Sequence, residues 1–174
     1  MKISNKKRVL CLFLDIIFFA GLVYLDQITK ALAVKHLKDQ PAFVLMDGVF
    51  ELHYLENRGA AFGMLQNQKV LFVVIAAIMM VVITYMLIRL PRNKHYVPLE
   101  ILLVLIASGA VGNLIDRVSL NYVVDFFYFK LINFPIFNVA DIYVSVSCVL
   151  LAVLLIFFYK ENDFDFLSKN KKKE

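Results

Sequence analysis

Four stretches of the chain, residues 9–25, 70–90, 97–114 and 139–159, are long hydrophobic runs with few polar interruptions. Each approaches the roughly 20 residues that an α-helix needs to cross a bilayer. The spacing therefore predicts four membrane-spanning helices in a single domain over residues 1–174, with a charged tail at 160–174 expected to be frayed. Pro98 falls near the start of the third run, where a proline costs a helix little. A basic tip before the first run also fits a secretory signal peptide, but Tyr24-Leu25-Asp26-Gln27 is a poor cleavage site. An uncleaved first helix is the simpler reading.

Between the first two runs the pattern changes. Ala42–Met46 and Val49–Tyr54 flank Asp47-Gly48, a dipeptide suited to a tight hairpin, so a small sheet lying on the membrane surface is predicted. Glu56-Asn57-Arg58-Gly59-Ala60-Ala61-Phe62-Gly63 follows. Its small residues fit either a close approach to a ligand or a tight loop feeding the second helix.

Composition supports the membrane reading. Of 174 residues, 61% are hydrophobic and 19% charged, below the roughly 25% charged residues of soluble domains. The net charge of +5 does not point to nucleic acid, because the basic residues sit at the chain ends and in one short connection. Lys6, Lys7 and Arg8, then Arg89, Arg92 and Lys94, then Lys160 and Lys171–Lys173 all fall on one side of a four-helix protein. By the bias of Lys and Arg toward the cytoplasm, both termini face inward, and residues 27–69 and 117–138 face outward. Asp15, inside the first run, reads as a shallow carboxylate tolerated near the inner basic residues. Cys11 and Cys148 lie in apolar runs, and His36, His53 and His95 are scattered, so neither a disulfide nor a metal site is expected.

The candidate chemistry gathers at the outer connections. Asp116 and Arg117 mark the exit of the third run, Asp125 follows in an apolar segment, and Asn138 precedes Asp141 at the start of the fourth. No serine or histidine is placed for a nucleophilic triad. Two carboxylates sharing one desolvated pocket can instead divide the work, one holding a proton while the other draws one from water. Taken singly, each has a plainer role. Asp116 fits an ion pair with Arg117, Asp125 a surface turn, and Asp141 a helix N-terminus favoured by the dipole.

Five segments in order resemble the lipoprotein signal peptidases, or signal peptidase II: D-Q-I-T-K at 26–30, E-N-R-G-A-A-F-G at 56–63, G-N-L-I-D-R-V at 112–118, V-V-D-F at 123–126 and F-N-V-A-D at 137–141. The resemblance spans the whole membrane portion and implies four helices with a small outer-face sheet. It implies an aspartic endopeptidase of the bacterial cytoplasmic membrane that cuts prolipoproteins before a diacylglyceryl-modified cysteine, with Asp125 and Asp141 as the catalytic pair. Asn57, Arg58, Asn113, Arg117 and Asn138 would support substrate, Asp26 and Lys30 the outer framework of the site, and Asp116 would be structural, holding Arg117. No cofactor or metal is implied. The expected partners are prolipoproteins, membrane lipid and globomycin-type inhibitors, acting on a monomer and not on nucleic acid. A small transporter and a non-catalytic membrane anchor are the competing classes; the first would need ionisable residues continuing across the membrane, and the second no matched Asp pair.

The loop from Asn57 is expected to cradle the peptide. Asn57→Ala should weaken processing of a lipidated substrate while the helical circular dichroism stays unchanged; full processing by that variant would remove the idea.

Overall fold

The computed structural model describes residues 5–59 and 64–167. Four long helices, α1 (Asn5–Leu37), α2 (Lys69–Arg89), α3 (Val97–Ser119) and α4 (Val139–Phe157), are each long and apolar enough to span a membrane. Three strands, β1 (Phe43–Met46), β2 (Phe50–Asn57) and β3 (Val123–Phe129), form one antiparallel sheet in the order β1-β2-β3. The predicted architecture is observed, including the hairpin turn, where Gly48 takes a φ of +68.

Helix α3 is the axis of the bundle. Half (50%) of its most apolar stretch is buried, against 11% for α2 and α4 and 6% for α1, whose remaining surface is apolar and exposed. An apolar exterior of that kind is stable only in lipid. Small residues on α3 set how closely its neighbours approach, as is common between membrane helices. A Cβ on Gly109 would collide with the Ala140 carbonyl oxygen on α4, and one on Gly112 would collide with the Asp26 carboxylate on α1.

The boundaries differ from the hydropathy reading where polar residues lie inside the protein. Helix α1 continues to Leu37 because Asp26 and Lys30 face each other one turn apart at 2.9 Å and are buried, so they prolong the helix instead of ending it. Helix α3 likewise runs on to Ser119. The segment around Asp125 is the third strand, its register set by pairs such as Leu55 with Asp125 and Asn57 with Val123.

At the end of the bundle away from the sheet, Leu90, Tyr96, Leu99 and Tyr159 form a core. The tail is not frayed over its described part: Glu161–Leu167 is a 3-10 helix. Tyr96 Oη donates to the Asp163 carbonyl (2.8 Å), and Arg89 Nη2 to the Phe166 carbonyl (2.8 Å). Phe164 and Phe166 pack on that core, which is why a charged segment stays ordered. Residues 168–174, including the terminal lysines, lie outside the described residues. Asp15 is ion-paired with Arg92 at 2.8 Å, and Arg92 also holds Glu100.

The close approach at Gly112 has a measurable consequence. Gly112→Ala should lower the thermal midpoint in detergent by an amount equivalent to about 1–3 kcal/mol, because the opposing carboxylate is itself pinned. Gly21→Ala, at a helical position with no heavy atom within 4 Å, should be neutral or stabilising.

Candidate active site

The site is built on a buried ammonium. Lys30 Nζ lies 2.9 Å from Asp26 Oδ2 and 3.1 Å from Asp116 Oδ2, and donates to Asn113 Oδ1 at 2.8 Å. Lys30 and Asp116 are each 3% exposed and Asp26 is fully buried. Each carboxylate then reaches a different element. Asp26 Oδ1 accepts from the Ala140 backbone N–H at 3.0 Å, fastening the first turn of α4. Asp116 Oδ2 accepts from the Val124 N–H at 3.1 Å, fastening β3 one residue before Asp125. Gln27 Nε2 donates to Asp26, to Asp116 and to the Gly112 carbonyl, all within 3.1 Å.

In front of that framework stand Asp125 and Asp141. The amide orientations between them follow from the donors around them. The Asp141 N–H can only donate and reaches Asn138 Oδ1 at 3.0 Å, so Asn138 Nδ2 must face the other way. It donates to Asp125 Oδ1 (2.6 Å) and to Asn113 Oδ1 (3.1 Å). Asn113 Oδ1, already facing two donors, leaves its Nδ2 to donate to Asp141 Oδ1 at 2.8 Å. Asp141 Oδ2 accepts from the Asn138 N–H at 3.1 Å, completing a capping box at the start of α4. Asn57 Nδ2 donates to Asp125 Oδ2 at 2.8 Å, and its Oδ1 accepts from the Gly59 N–H at 2.9 Å.

The two carboxylates open on a cavity of about 540 Å³, lined also by Asn57, Asn113, Arg117 and the apolar segment from Phe134 to Phe137. Burial, and then the neighbouring Asp141 charge, push the Asp125 carboxyl up to about 7, against the opposing pull of the Asn57 and Asn138 amides. Such a pair holds one proton between its members near neutral pH and can both give and take one.

Most residues named from sequence converge here, with two corrections. Asp116 does not hold Arg117: adjacent helix residues point in different directions, and Asp116 turns to Lys30. Arg117 instead donates to the Gly59 carbonyl at 3.1 Å and lies 4.3 Å from the centre of the Phe72 ring. Arg58 stays out of the cavity lining; it is 3.7 Å from Glu56, with its guanidinium over Tyr122. Ala60–Gly63, the rest of the predicted cradle, lie outside the described residues. Gln27 went unassigned although it sits inside the D-Q-I-T-K segment, and Phe72 carried no signal in an all-apolar run. No group of three or more metal-ligating side chains occurs among the described residues.

The profile described as Signal peptidase (SPase) II matches residues 18–157, which include every one of these groups. The chain belongs to the signal peptidase II family. Its relatives include the lipoprotein signal peptidase of Caldanaerobacter subterraneus subsp. tengcongensis, 48% identical over 82% of this chain and 95% of that one. That of Clostridioides difficile strain 630 is 41% identical over 83% and 96%. A solved structure described as a bacterial membrane enzyme at 2.3 Å superposes with a TM-score of 0.74 at 27% identity, covering 92% of this chain and 93% of the other. The family identity makes the chain a peptidase, and the cavity is where the fold holds polar groups at helix depth beside apolar walls.

A raised carboxyl has a sign that can be tested. Asp125 binds its proton more tightly folded than unfolded, so its contribution to stability is present below the ordinary carboxylate range and lost as pH rises through about 7. The thermal midpoint in detergent should fall between about pH 5 and pH 8, and Asp125→Asn should flatten that fall. An unchanged slope in the variant would place the proton elsewhere.

Proposed function

We propose that the chain is a lipoprotein signal peptidase acting as an aspartic endopeptidase, with Asp125 and Asp141 as its catalytic pair. One observation carries the reading: the buried Asp125 carboxylate and the partly buried Asp141 carboxylate, joined through Asn113 and Asn138, face the same cavity. A water bound between them gives a proton to the ionised member as its oxygen attacks the scissile carbonyl carbon. The protonated member gives its proton to the carbonyl oxygen, forming a neutral tetrahedral diol. Collapse returns a diol proton to the pair, the C–N bond breaks, and the departing amine takes a proton from the other member. The pair ends with the single proton it began with.

The surrounding groups suit that course. Asn57 and Asn138 hold the Asp125 oxygens with amide donors, and Asn113 with the Asn138 N–H holds those of Asp141. Each carboxylate thereby keeps one orientation while the proton moves. Arg117, at the cavity wall, is a fixed positive charge that polarises the scissile carbonyl and orients the substrate. The substrate is a prolipoprotein cut before its diacylglyceryl-modified cysteine, a lipid-bearing residue that keeps the scissile bond at membrane depth. Both termini face the cytoplasm and the sheet end faces outward, in the bacterial cell membrane. The enzyme works as a monomer without a cofactor, and globomycin-type inhibitors compete for the cavity.

Purified protein supplied with a diacylglyceryl-modified prolipoprotein should release the signal peptide, and Asp125→Asn and Asp141→Asn should each lower the rate by at least about a thousandfold. Cleavage persisting in both variants would end the dyad assignment; none by the parent protein would end the peptidase reading.

A further inference from the structure

The turn that follows β3 has surface that neither the fold nor the proposed chemistry uses. Lys130–Ile132 forms one turn of 3-10 helix, closed by Asn133 in a left-handed conformation at φ 46. Four hydrogen bonds hold its shape: the Asn133 N–H to the Lys130 carbonyl at 3.0 Å, Tyr128 Oη to Asn133 Oδ1 at 2.8 Å, the Phe134 N–H to the Phe129 carbonyl at 3.1 Å, and the Leu131 N–H to the Val49 carbonyl at 3.4 Å. The result is that Leu131 and Ile132 project outward, 70% and 68% exposed. A tight turn with ordered polar ends normally carries polar side chains at its tip. Here the tip is aliphatic.

This tip is not isolated. Phe134 is half exposed beside it and packs edge-on against Phe137 (5.7 Å), which lies 5.8 Å from Phe129. Phe134 and Phe137 also line the cavity that holds Asp125 and Asp141. One apolar surface therefore runs from the cavity wall to the tip, continuous with the lipid-facing side of α4 at Ile142 and Val146. The charge nearby is turned aside: Lys130 Nζ reaches Glu51 on the sheet at 2.6 Å. Helix α2, with Lys69 at one end and Arg89 at the other, measures about 31 Å at 1.5 Å per residue and so matches the hydrocarbon thickness. Lys69 Nζ donates to the Val118 carbonyl (3.3 Å) and to Asn121 Oδ1 (2.8 Å), so the last turn of α3 and the approach to β3 lie near the polar boundary. The turn after β3 joins that region to α4 through Phe134 and Phe137, which line the same cavity as Ile142 and Val146.

We infer that Leu131 and Ile132 insert into the adjacent lipid leaflet as an anchor, with bilayer lipid as the partner of this surface. The anchor holds the β3–α4 connection, and with it the apolar wall of the cavity, against the membrane from which a lipidated substrate would arrive. The inference rests on the membrane-spanning fold and not on the peptidase mechanism, and its test needs no substrate.

The chain contains no tryptophan, so a single one reports on its own position. Leu131→Trp and, separately, Ile132→Trp would be made in the full chain and reconstituted into phosphatidylcholine–phosphatidylglycerol vesicles. Insertion predicts blue-shifted emission that loses most of its intensity when the phosphatidylcholine carries bromine near the ester end of its acyl chains. Aqueous acrylamide should then quench it little. Strong acrylamide quenching without bromolipid quenching, in both variants, would mean the tip stands in water and would overturn the inference. Emission shielded from both quenchers would also overturn it, since the tip would then be covered by protein such as a second copy of the chain.

Discussion

Everything around the cavity depends on one ammonium group that water does not reach. Lys30 is nearly fully buried and faces two carboxylates and one amide oxygen drawn from α1 and α3. A buried charge is tolerable only when paired and hydrogen-bonded, and removing one partner from such a cluster costs about 3–5 kcal/mol. One ammonium against two carboxylates leaves a negative excess, which is met by the Gln27 amide and by the Ala140 and Val124 N–H groups. Those last two donors belong to α4 and β3. Charge neutralisation inside the bundle is therefore the same event that brings the elements bearing Asp125 and Asp141 together.

The close approach this requires comes from an absence of side chain. Gly112 leaves room for the Asp26 carboxylate to pass α3 and reach Ala140, whose own Cβ lies 3.4 Å from the position a Gly112 Cβ would take. Gly109, one turn earlier, lets the Ala140 carbonyl oxygen lie against the α3 backbone. In a membrane the helices gain nothing by hiding apolar surface from water, so close packing and internal hydrogen bonds must hold them. The glycines permit the first, and the Lys30 cluster supplies the second.

In front of the cluster the same economy of donors gives the Asp pair its electrostatics. Two amide side chains bridge Asp125 and Asp141, and each orientation is forced by a neighbour that can only donate. Their hydrogen bonds favour ionised carboxylates, while burial and mutual repulsion oppose ionisation; at Asp125 the opposition wins, leaving its carboxyl near neutral pH. A group balanced in that way exchanges protons without first being moved, which is the property the proposed acid–base chemistry needs.

Much of this was legible in the chain itself. Apolar runs of membrane length specify four helices because a bilayer imposes that length on any backbone crossing it, and Asp47-Gly48 specifies the hairpin because few dipeptides accept its geometry. The ordered set of short motifs identified the family and named Asn57, Asn113, Asn138, Asp125 and Asp141 together. Hydropathy, however, treats each charge as a boundary, and so it stopped α1 short of Lys30 and could not tell a buried ion pair from a solvated end. Whether Asp116 faces Arg117 or Lys30 depends on helix rotation, and whether Arg58 enters the cavity depends on how the chain leaves β2. Likewise the tail at Glu161–Leu167 is polar by composition and ordered only because Phe164 and Phe166 find the core around Tyr96. Periodicity and composition are properties of neighbours in sequence, and they determined the helices and the membrane. Pairing among Lys30, Asp26, Asp116 and the Asp125–Asp141 bridge joins residues as far as 114 positions apart, so only the folded packing of α1, α3, α4 and β3 could decide it.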